Sequence, residues 1–397
     1  VKDDEPSHFG RTLDGNGAPV ISLFFELVVE QQKKYLAEQQ RIWQRMLSVP
    51  RAMELANETR VGVTPHDVVF ERGSLRLLRY RRETPALYAE PVLFCYALIN
   101  RHYILDLQPG KSVVERYLEQ GFDVYMVDWG VPSDDDCHLT LDDYVFVFLA
   151  QVVDFVLQAH KRKSLHLLGY CMGGTLSTIF AAVHPERVKS LTLLAAPLDF
   201  SGRESLLNLW TDAKYFDVDA FVNAQGNCPA EFLQATFLFM KPVQNLYEKH
   251  AAVIEQLDNA KFVSSYLAME YWVNDNIPVA GETFREFVKK LYQQNELVRG
   301  QLHIGGYRID LGRIECPLLV MTARNDHLVA PSSTEGLLPH VGSADTTKIS
   351  IDAGHVGLVV GGKAHKSFWP QATRWLAAKS AVSPEGDVRA HRIPLTQ

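Results

Sequence analysis

Ser164-Leu-His-Leu-Leu-Gly-Tyr-Cys-Met-Gly-Gly-Thr175 is the stretch on which the reading of this chain turns. A short apolar run ends at Gly169. Cys171 follows, then Gly173 and Gly174, and then an apolar segment that can continue as a helix. The pattern is strand, sharp turn, helix, with a nucleophile at the tip: glycine-x-nucleophile-x-glycine, with sulfur where serine is usual. The turn drives the nucleophile into a strained backbone conformation, and its neighbours must lack bulk for strand and helix to approach. A cysteine taken alone is more often a small buried hydrophobe. In this setting Cys171 is read as a nucleophile.

Outward from that turn, the chain alternates. Two short strands are expected at Asp67 to Glu71 and Leu75 to Tyr80, around Arg72-Gly-Ser74. A strand follows at Pro91 to Tyr96, a helix from Ser112 to Gln120 closed by Gly121, and a strand from Asp123 to Val127. Thr140 caps a long helix from Leu141 to about His160, with Asp143 completing a capping box. Strands at Ser164 to Leu168 and Val188 to Leu194 come next. From about 199 to 304 strand signals give way to helical periodicity rich in aromatics, among them Trp210, Phe221, Phe232 and Trp272. Alternation resumes with a strand at Pro317 to Thr322, a helix around Ser333 to Leu338, a strand at Thr347 to Ile351 and a final helix from about Lys366 to Ala378.

Such alternation predicts an α/β protein with a mostly parallel, doubly wound sheet, the α/β-hydrolase fold, interrupted by a mainly helical cap. The expected organisation is a tail and amphipathic helix over 1–60, a catalytic core over 61–198 and 305–380, a cap over 199–304 and a loose tail over 381–397. Within the first segment Ile21, Val28, Tyr35 and Ile42 recur every seven residues, interrupted beside that stripe by Gln32 and Gln39. An amphipathic helix packed on its own domain is the plain reading; a seam for a partner helix or an apolar surface is the alternative.

Composition bounds the function. The chain has 397 residues, nearly half of them apolar, and a net charge of −7, which offers no basic field for nucleic acid. Its five cysteines, Cys95, Cys137, Cys171, Cys228 and Cys316, form no Cys-x-x-Cys pair. That argues against a disulfide framework or a thiolate metal site, and for a reducing, cytoplasmic setting. The four besides Cys171 are read as structural. No metal ligand pattern such as His-Glu-x-x-His occurs, no apolar run reads as long enough to span a bilayer, and Ile21 to Val29 lacks the flanks of a signal peptide.

A cysteine at such a turn needs a base and an oxyanion site. In this fold the partners follow the nucleophile in the order acid, then histidine. Asp326 follows the strand at 317–322 in Arg324-Asn-Asp-His-Leu328, and His355 follows the strand at 347–351 in Asp352-Ala-Gly-His-Val-Gly357. His327 is a weaker candidate for the base and Asp352 for the acid. His102, His138, His160 and His184 are read as surface or satisfied core residues. The oxyanion donors are expected to be the backbone N–H of Met172 and one from Ala97-Leu-Ile-Asn-Arg101, for which Ile99 is chosen. A thiolate attacking a thioester forms another thioester and keeps the acyl group activated. Cysteine therefore suits acyl transfer from an acyl-CoA better than ester hydrolysis, and an apolar cap would keep water from the acyl-enzyme.

Gly169-Tyr-Cys-Met-Gly-Gly174 also resembles the cysteine lipase-like box of polyhydroxyalkanoate (PHA/PHB) synthases. So do Tyr96-Ala-Leu-Ile-Asn-Arg101, Tyr103-Ile-Leu-Asp-Leu-Gln108, Val127-Asp-Trp-Gly130, Leu139-Thr-Leu-Asp-Asp-Tyr144, Gly281-Glu-Thr-Phe-Arg285 and Asp326-His-Leu-Val329, in order from about residue 60 to 380. The resemblance implies an acyltransferase that polymerises (R)-3-hydroxyacyl-CoA, such as 3-hydroxybutyryl-CoA, into polyester with release of CoA. The family nucleophile falls on Cys171, its acid on Asp326 and its histidine on His355. Coenzyme A enters only as part of the substrate, with no cofactor. The resemblance is nearest the short two-component type, which implies a second synthase subunit, a homodimer, and association with the growing polyester chain and the granule surface. The helix from Ile21 to Leu47 is longer than that type implies. Two other readings stand beside this one: a hydrolase cleaving an ester, lactone or thioester through Cys171, and a non-catalytic granule-binding protein.

Overall fold

The computed structural model describes residues 47–383, with Glu30, Lys33, Lys34 and Gln40 as single positions ahead of them. The tail over 1–19 and nearly all of the helix expected from Ile21 to Leu47 lie outside the described residues. Two compact units divide the chain. The first takes residues 1–58 and 249–264, the second 59–248 and 265–397. In the first, residues 47–58 and Lys249–Glu255 are helical. All candidate site residues belong to the second.

The second unit is built on an eight-stranded sheet. The chain's strands are β1 (His66–Arg72), β2 (Leu75–Tyr80), β3 (Val92–Cys95), β4 (Val124–Asp128), β5 (Leu165–Tyr170), β6 (Val188–Leu194), β7 (His303–Ile304), β8 (Tyr307–Arg308), β9 (Leu318–Ala323) and β10 (Thr346–Ile351). The sheet order is β1-β2-β4-β3-β5-β6-β9-β10, while β7 and β8 pair in a separate two-stranded ribbon. Strand β2 runs antiparallel to β1 and β4; every other pairing in the sheet is parallel. Every residue of β3, β4, β5 and β9 is buried, as befits parallel strands covered on both faces. The first two strands, β3 to β6, β9 and β10 lie within a residue or two of the expected positions.

Helix α1 (Val113–Gln120) begins where the Ser112 hydroxyl accepts the Glu115 N–H and ends at Gly121, whose φ of 102° is left-handed. A Cβ there would lie 2.7 Å from the Leu87 side chain, so glycine serves twice. Helix α2 (Ala150–His160) is preceded by a π-type turn over Asp143–Leu149. The capping box forms at its start: Thr140 N–H and Oγ1 both donate to Asp143 Oδ2 at 2.9 Å. Asp143–His160 is long and apolar enough to cross a membrane by length and composition, which corrects the expectation that no such run exists. Its apolar side, with Leu149, Val152, Val153 and Val156 fully buried, is spent on the core of this unit. Helix α3 (Met172–Val183) is buried along its whole length against β5 and β6.

Between β6 and β7 the described elements are all helical, including Leu206–Trp210, Val218–Gln225, Ala230–Met240 and Gly281–Glu286. The helix expected at Ser333 to Leu338 instead runs from Pro331 to Glu335, followed by a 3-10 turn at Leu338–His340 around Pro339. Residues beyond Ser380 were expected to be loose, yet the first of them are tied down. Ala381 N–H donates to Glu90 Oε2 (2.9 Å), Ala89 N–H to Ala381 O (2.9 Å) and Ser383 N–H to Leu87 O (2.7 Å). Residues 384–397 lie outside the described residues.

Candidate active site

Strand β5 ends at Tyr170 and helix α3 begins at Met172, so Cys171 alone makes the turn. Its φ of 54° with ψ of −130° lies where a side chain is seldom tolerated. Two backbone bonds hold it there: its N–H donates to Leu194 O on β6 (2.9 Å), and its carbonyl accepts the Gly174 N–H (2.8 Å). The glycines around it have no room to be anything else. A Cβ on Gly169 would sit 2.4 Å from the Gly174 Cα, one on Gly173 would sit 2.1 Å from the Cys95 carbonyl oxygen, and one on Gly174 would sit 2.4 Å from the Ala196 Cβ. The helix thus starts in direct contact with the ends of β3 and β6, and the Cys171 side chain is left partly accessible.

Met172 is the first residue of α3, and first-turn N–H groups lack intrahelical partners. The loop carrying Ile99 leaves β3, the neighbour of β5, and its first carbonyl, that of Tyr96, lies over Gly173. Ile99 is half-buried, and Asn100 beside it has a positive φ of 62°. Asp275 anchors the far side of this loop, accepting from Arg101 Nε (3.1 Å) and from the Tyr103 hydroxyl (2.7 Å). The Trp272 indole donates to Arg101 O (2.8 Å).

Asp326 and His355 meet, although 29 positions separate them. His355 Nδ1 donates to Asp326 Oδ2 at 2.7 Å, and the carboxylate's other oxygen accepts the N–H groups of Leu328 and Val329, each at 2.9 Å. The Asp326 side chain is buried and that of His355 nearly so. Burial by itself would lower the pKa of His355. The negative Asp326, which also hydrogen-bonds the ring, outweighs it together with the neighbouring Cys171, and the pKa is pushed up to about 10. The structure therefore brings His355 and Asp326 together as a hydrogen-bonded pair beside Cys171. The weaker candidates lie apart from it: His327 is exposed, and Asp352 is exposed and pairs with Arg324 at 2.6 Å. His138 is exposed, His160 is bonded to the Tyr125 hydroxyl (2.9 Å), His184 packs on Phe180, and His102 lies 3.3 Å from Asp128.

Three tyrosines surround Cys171 that the sequence did not single out. Tyr170 stacks on the His355 imidazole with ring centres 5.1 Å apart, and Tyr96 lies 5.8 Å from Tyr170. The hydroxyls of Tyr96, Tyr170 and Tyr292 are all held protonated above the usual phenol range, by burial first and by Cys171 as a further cause. Tyr170 was visible as the residue before the nucleophile; nothing local marks Tyr292. Beside Tyr292 lies a small pocket, lined also by Phe200, Asn208, Leu328, Val329 and Ser333. Among the described residues no cluster of three or more His, Cys, Asp or Glu side chains could hold a metal.

A cysteine on a strained turn, an imidazole and a buried carboxylate suit nucleophilic acyl chemistry. Comparison with known proteins agrees. Residues 90–361 match the alpha/beta hydrolase fold family, and residues 31–118 match the family described as the poly-beta-hydroxybutyrate polymerase (PhaC) N-terminus. The chain is 44% identical over 332 residues to the poly(3-hydroxyalkanoate) polymerase subunit PhaC of Haloferax mediterranei, covering 84% of this chain and 68% of that one. The subunit of the same name from Haloarcula marismortui is 38% identical, over 92% of this chain and 78% of its own length. That of Allochromatium vinosum is 39% identical, over 79% and 89%. With a cysteine at the turn and identity of this extent to three polymerase subunits, the chain belongs to the poly(3-hydroxyalkanoate) polymerase PhaC family, on the alpha/beta hydrolase fold.

Proposed function

We propose that this chain is a polyhydroxyalkanoate synthase that polymerises (R)-3-hydroxyacyl-CoA, with 3-hydroxybutyryl-CoA as the first substrate to test, through a covalent acyl-cysteine. The observation that carries the proposal is Cys171 at its strained turn beside the hydrogen-bonded pair of His355 and buried Asp326. His355 takes the proton of the Cys171 thiol, and the thiolate attacks the thioester carbonyl. Met172 N–H and Ile99 N–H hold the oxyanion. The C–S bond to CoA breaks, the imidazolium returns its proton to the CoA sulfur, and an acyl-cysteine thioester remains. The 3-hydroxyl of another unit then gives its proton to His355 and attacks a thioester carbonyl; the C–S bond of that thioester breaks, its sulfur takes the proton back from the imidazolium, and the polyester is longer by one ester bond. Asp326 fixes the ring and balances its charge.

The helical residues of the second unit between 199 and 304 act as a cap that excludes water. Their aromatic packing supports this role, with Phe221 4.7 Å from Phe232 and 5.7 Å from Phe284 between ring centres. The relatives are named as polymerase subunits, which supports a second subunit for this chain; the resemblance to the synthase family extends the proposal to a homodimer at the surface of a polyester granule in the cytoplasm.

The test is incubation of the purified chain with 3-hydroxybutyryl-CoA, following CoA release and polymer together. CoA release with polymer is expected, and Cys171→Ala abolishes both. Free 3-hydroxy acid without polymer would point to a hydrolase, and turnover retained in Cys171→Ala would sink the mechanism.

A further inference from the structure

Three groups surround the His355 imidazole: Asp326 at Nδ1, Cys171 close by, and Tyr170 on its face. The third has no part in the proton transfers above. The Tyr170 ring is 2% exposed and lies almost parallel to the imidazole, inclined by 22° with centres 5.1 Å apart. Its hydroxyl reaches past the ring and donates to the His355 carbonyl at 3.3 Å. One side chain therefore holds both the ring and the backbone of His355. Tyr96, tilted by 52° at 5.8 Å, closes in behind Tyr170.

The location makes this contact more than packing. His355 sits on a loop after the edge strand β10, in the run 352–356 that has no regular structure of its own. Tyr170 is the last residue of β5, joined by one peptide bond to Cys171. A tether from β5 to His355 references the base to the nucleophile itself. The tether through Asp326 references it only to β9, two strands away. Electron density on the tyrosine face also favours a charged imidazolium over a neutral ring.

We propose that Tyr170 is a positioning residue: from the strand that carries the nucleophile, it stacks on His355 and anchors its carbonyl, and so keeps the imidazole on Cys171. The proposal rests on the reading of Cys171 and His355 as nucleophile and base. Misplacing a reacting group by about 1 Å can cost on the order of 100-fold. Tyr170→Leu, which removes ring and hydroxyl, therefore lowers kcat by about 10- to 100-fold with little change in KM. Tyr170→Phe keeps the stack and stays within about threefold of wild type.

The deciding readout is alkylation of Cys171 by iodoacetamide, followed on the peptide that carries it, as the ratio of the rate at pH 6.5 to that at pH 9.5. A histidine held on the thiol keeps thiolate available at the lower pH. The ratio should fall by about tenfold in His355→Ala and by a similar factor in Tyr170→Leu, and stay near wild type in Tyr170→Phe. A loss of packing alone would lower the melting temperature of Tyr170→Leu without moving this ratio. If His355→Ala lowers the ratio and Tyr170→Leu does not, the positioning role is wrong while the base stands. If His355→Ala leaves the ratio unchanged, the assignment of the base fails first. If Tyr170→Leu does not fold, Tyr170→Phe, Tyr170→Trp and Tyr170→His decide: flat rings should keep the ratio, and a fall in all three overturns the proposal.

Discussion

Cys171 leaves a central strand, β5, whose six residues are all buried, whereas His355 follows the edge strand β10, whose residues alternate between exposed and half-buried. Backbone holds the cysteine: a positive φ, two main-chain hydrogen bonds and three glycines pressed against β3, α3 and the end of β6. Side chains hold the histidine: the Asp326 carboxylate and the Tyr170 ring. A backbone-held position has almost no slack, because one added methyl meets a carbonyl oxygen that cannot move without the strand. A side-chain-held position can relax, so its losses come in grades.

Gly173→Ala should break the first region outright. The new Cβ would press on the carbonyl oxygens of Cys95 and Tyr96, both backbone, and the loss should be about 3 kcal/mol or more in urea unfolding, with Cys171 reactivity lost as well. A variant within about 1 kcal/mol of wild type would show that the turn has slack and would remove the contrast.

Asp326→Asn probes the second region and should cost about 100- to 10,000-fold in kcat while the fold survives. It should also change how stability depends on pH. The folded pKa of His355 is raised, so its stabilising charge is fully present below the ordinary histidine value of about 6.5 and is lost as pH rises through about 10. Melting temperature should therefore fall over that window more steeply in wild type than in Asp326→Asn; equal slopes would argue against a strong charge pair. Asp352→Asn is the internal contrast, since its exposed pair with Arg324 touches neither Cys171 nor His355. It should leave kcat within about twofold.

The smallest effect belongs to the loop that carries Ile99, which is also held by side chains. Asp275→Asn weakens its bonds to Arg101 and Tyr103, partly exposed, and should cost about 1 kcal/mol in unfolding. Turnover should fall less than in Asp326→Asn. A larger fall would mean that this loop is held as strictly as the turn at Cys171.

Much of this fold was legible because its signals are local. The capping box of Thr140 and Asp143, the closure of α1 by Gly121 and the glycine spacing around Cys171 all act within a few residues. Chain order and strand ends were enough to nominate Asp326 and His355. Other features were less legible. The small pocket beside Tyr292 gathers Phe200, Tyr292 and Val329 from three distant segments, and the anchoring of Ala381 depends on Glu90. Leu141 to about His160 read as one helix with no apolar run long enough for a bilayer, yet Asp143–His160 passes that test by length and composition, which alone does not tell lipid from core. Only the sheet it packs beside answers that.

The sequence by itself determined that a thiol stands at a strand–turn–helix junction, because only small residues can flank so tight a turn and the pattern is contiguous. It also determined the order of acid and histidine behind it. Tertiary structure alone decided that His355 meets Asp326 at 2.7 Å, that Asp352 turns away to Arg324, and that Tyr170 lies flat on the imidazole. Those outcomes depend on how β5, β9 and β10 line up in one sheet. The register between strands more than a hundred residues apart is set by the packing of the whole core, which no local stretch encodes.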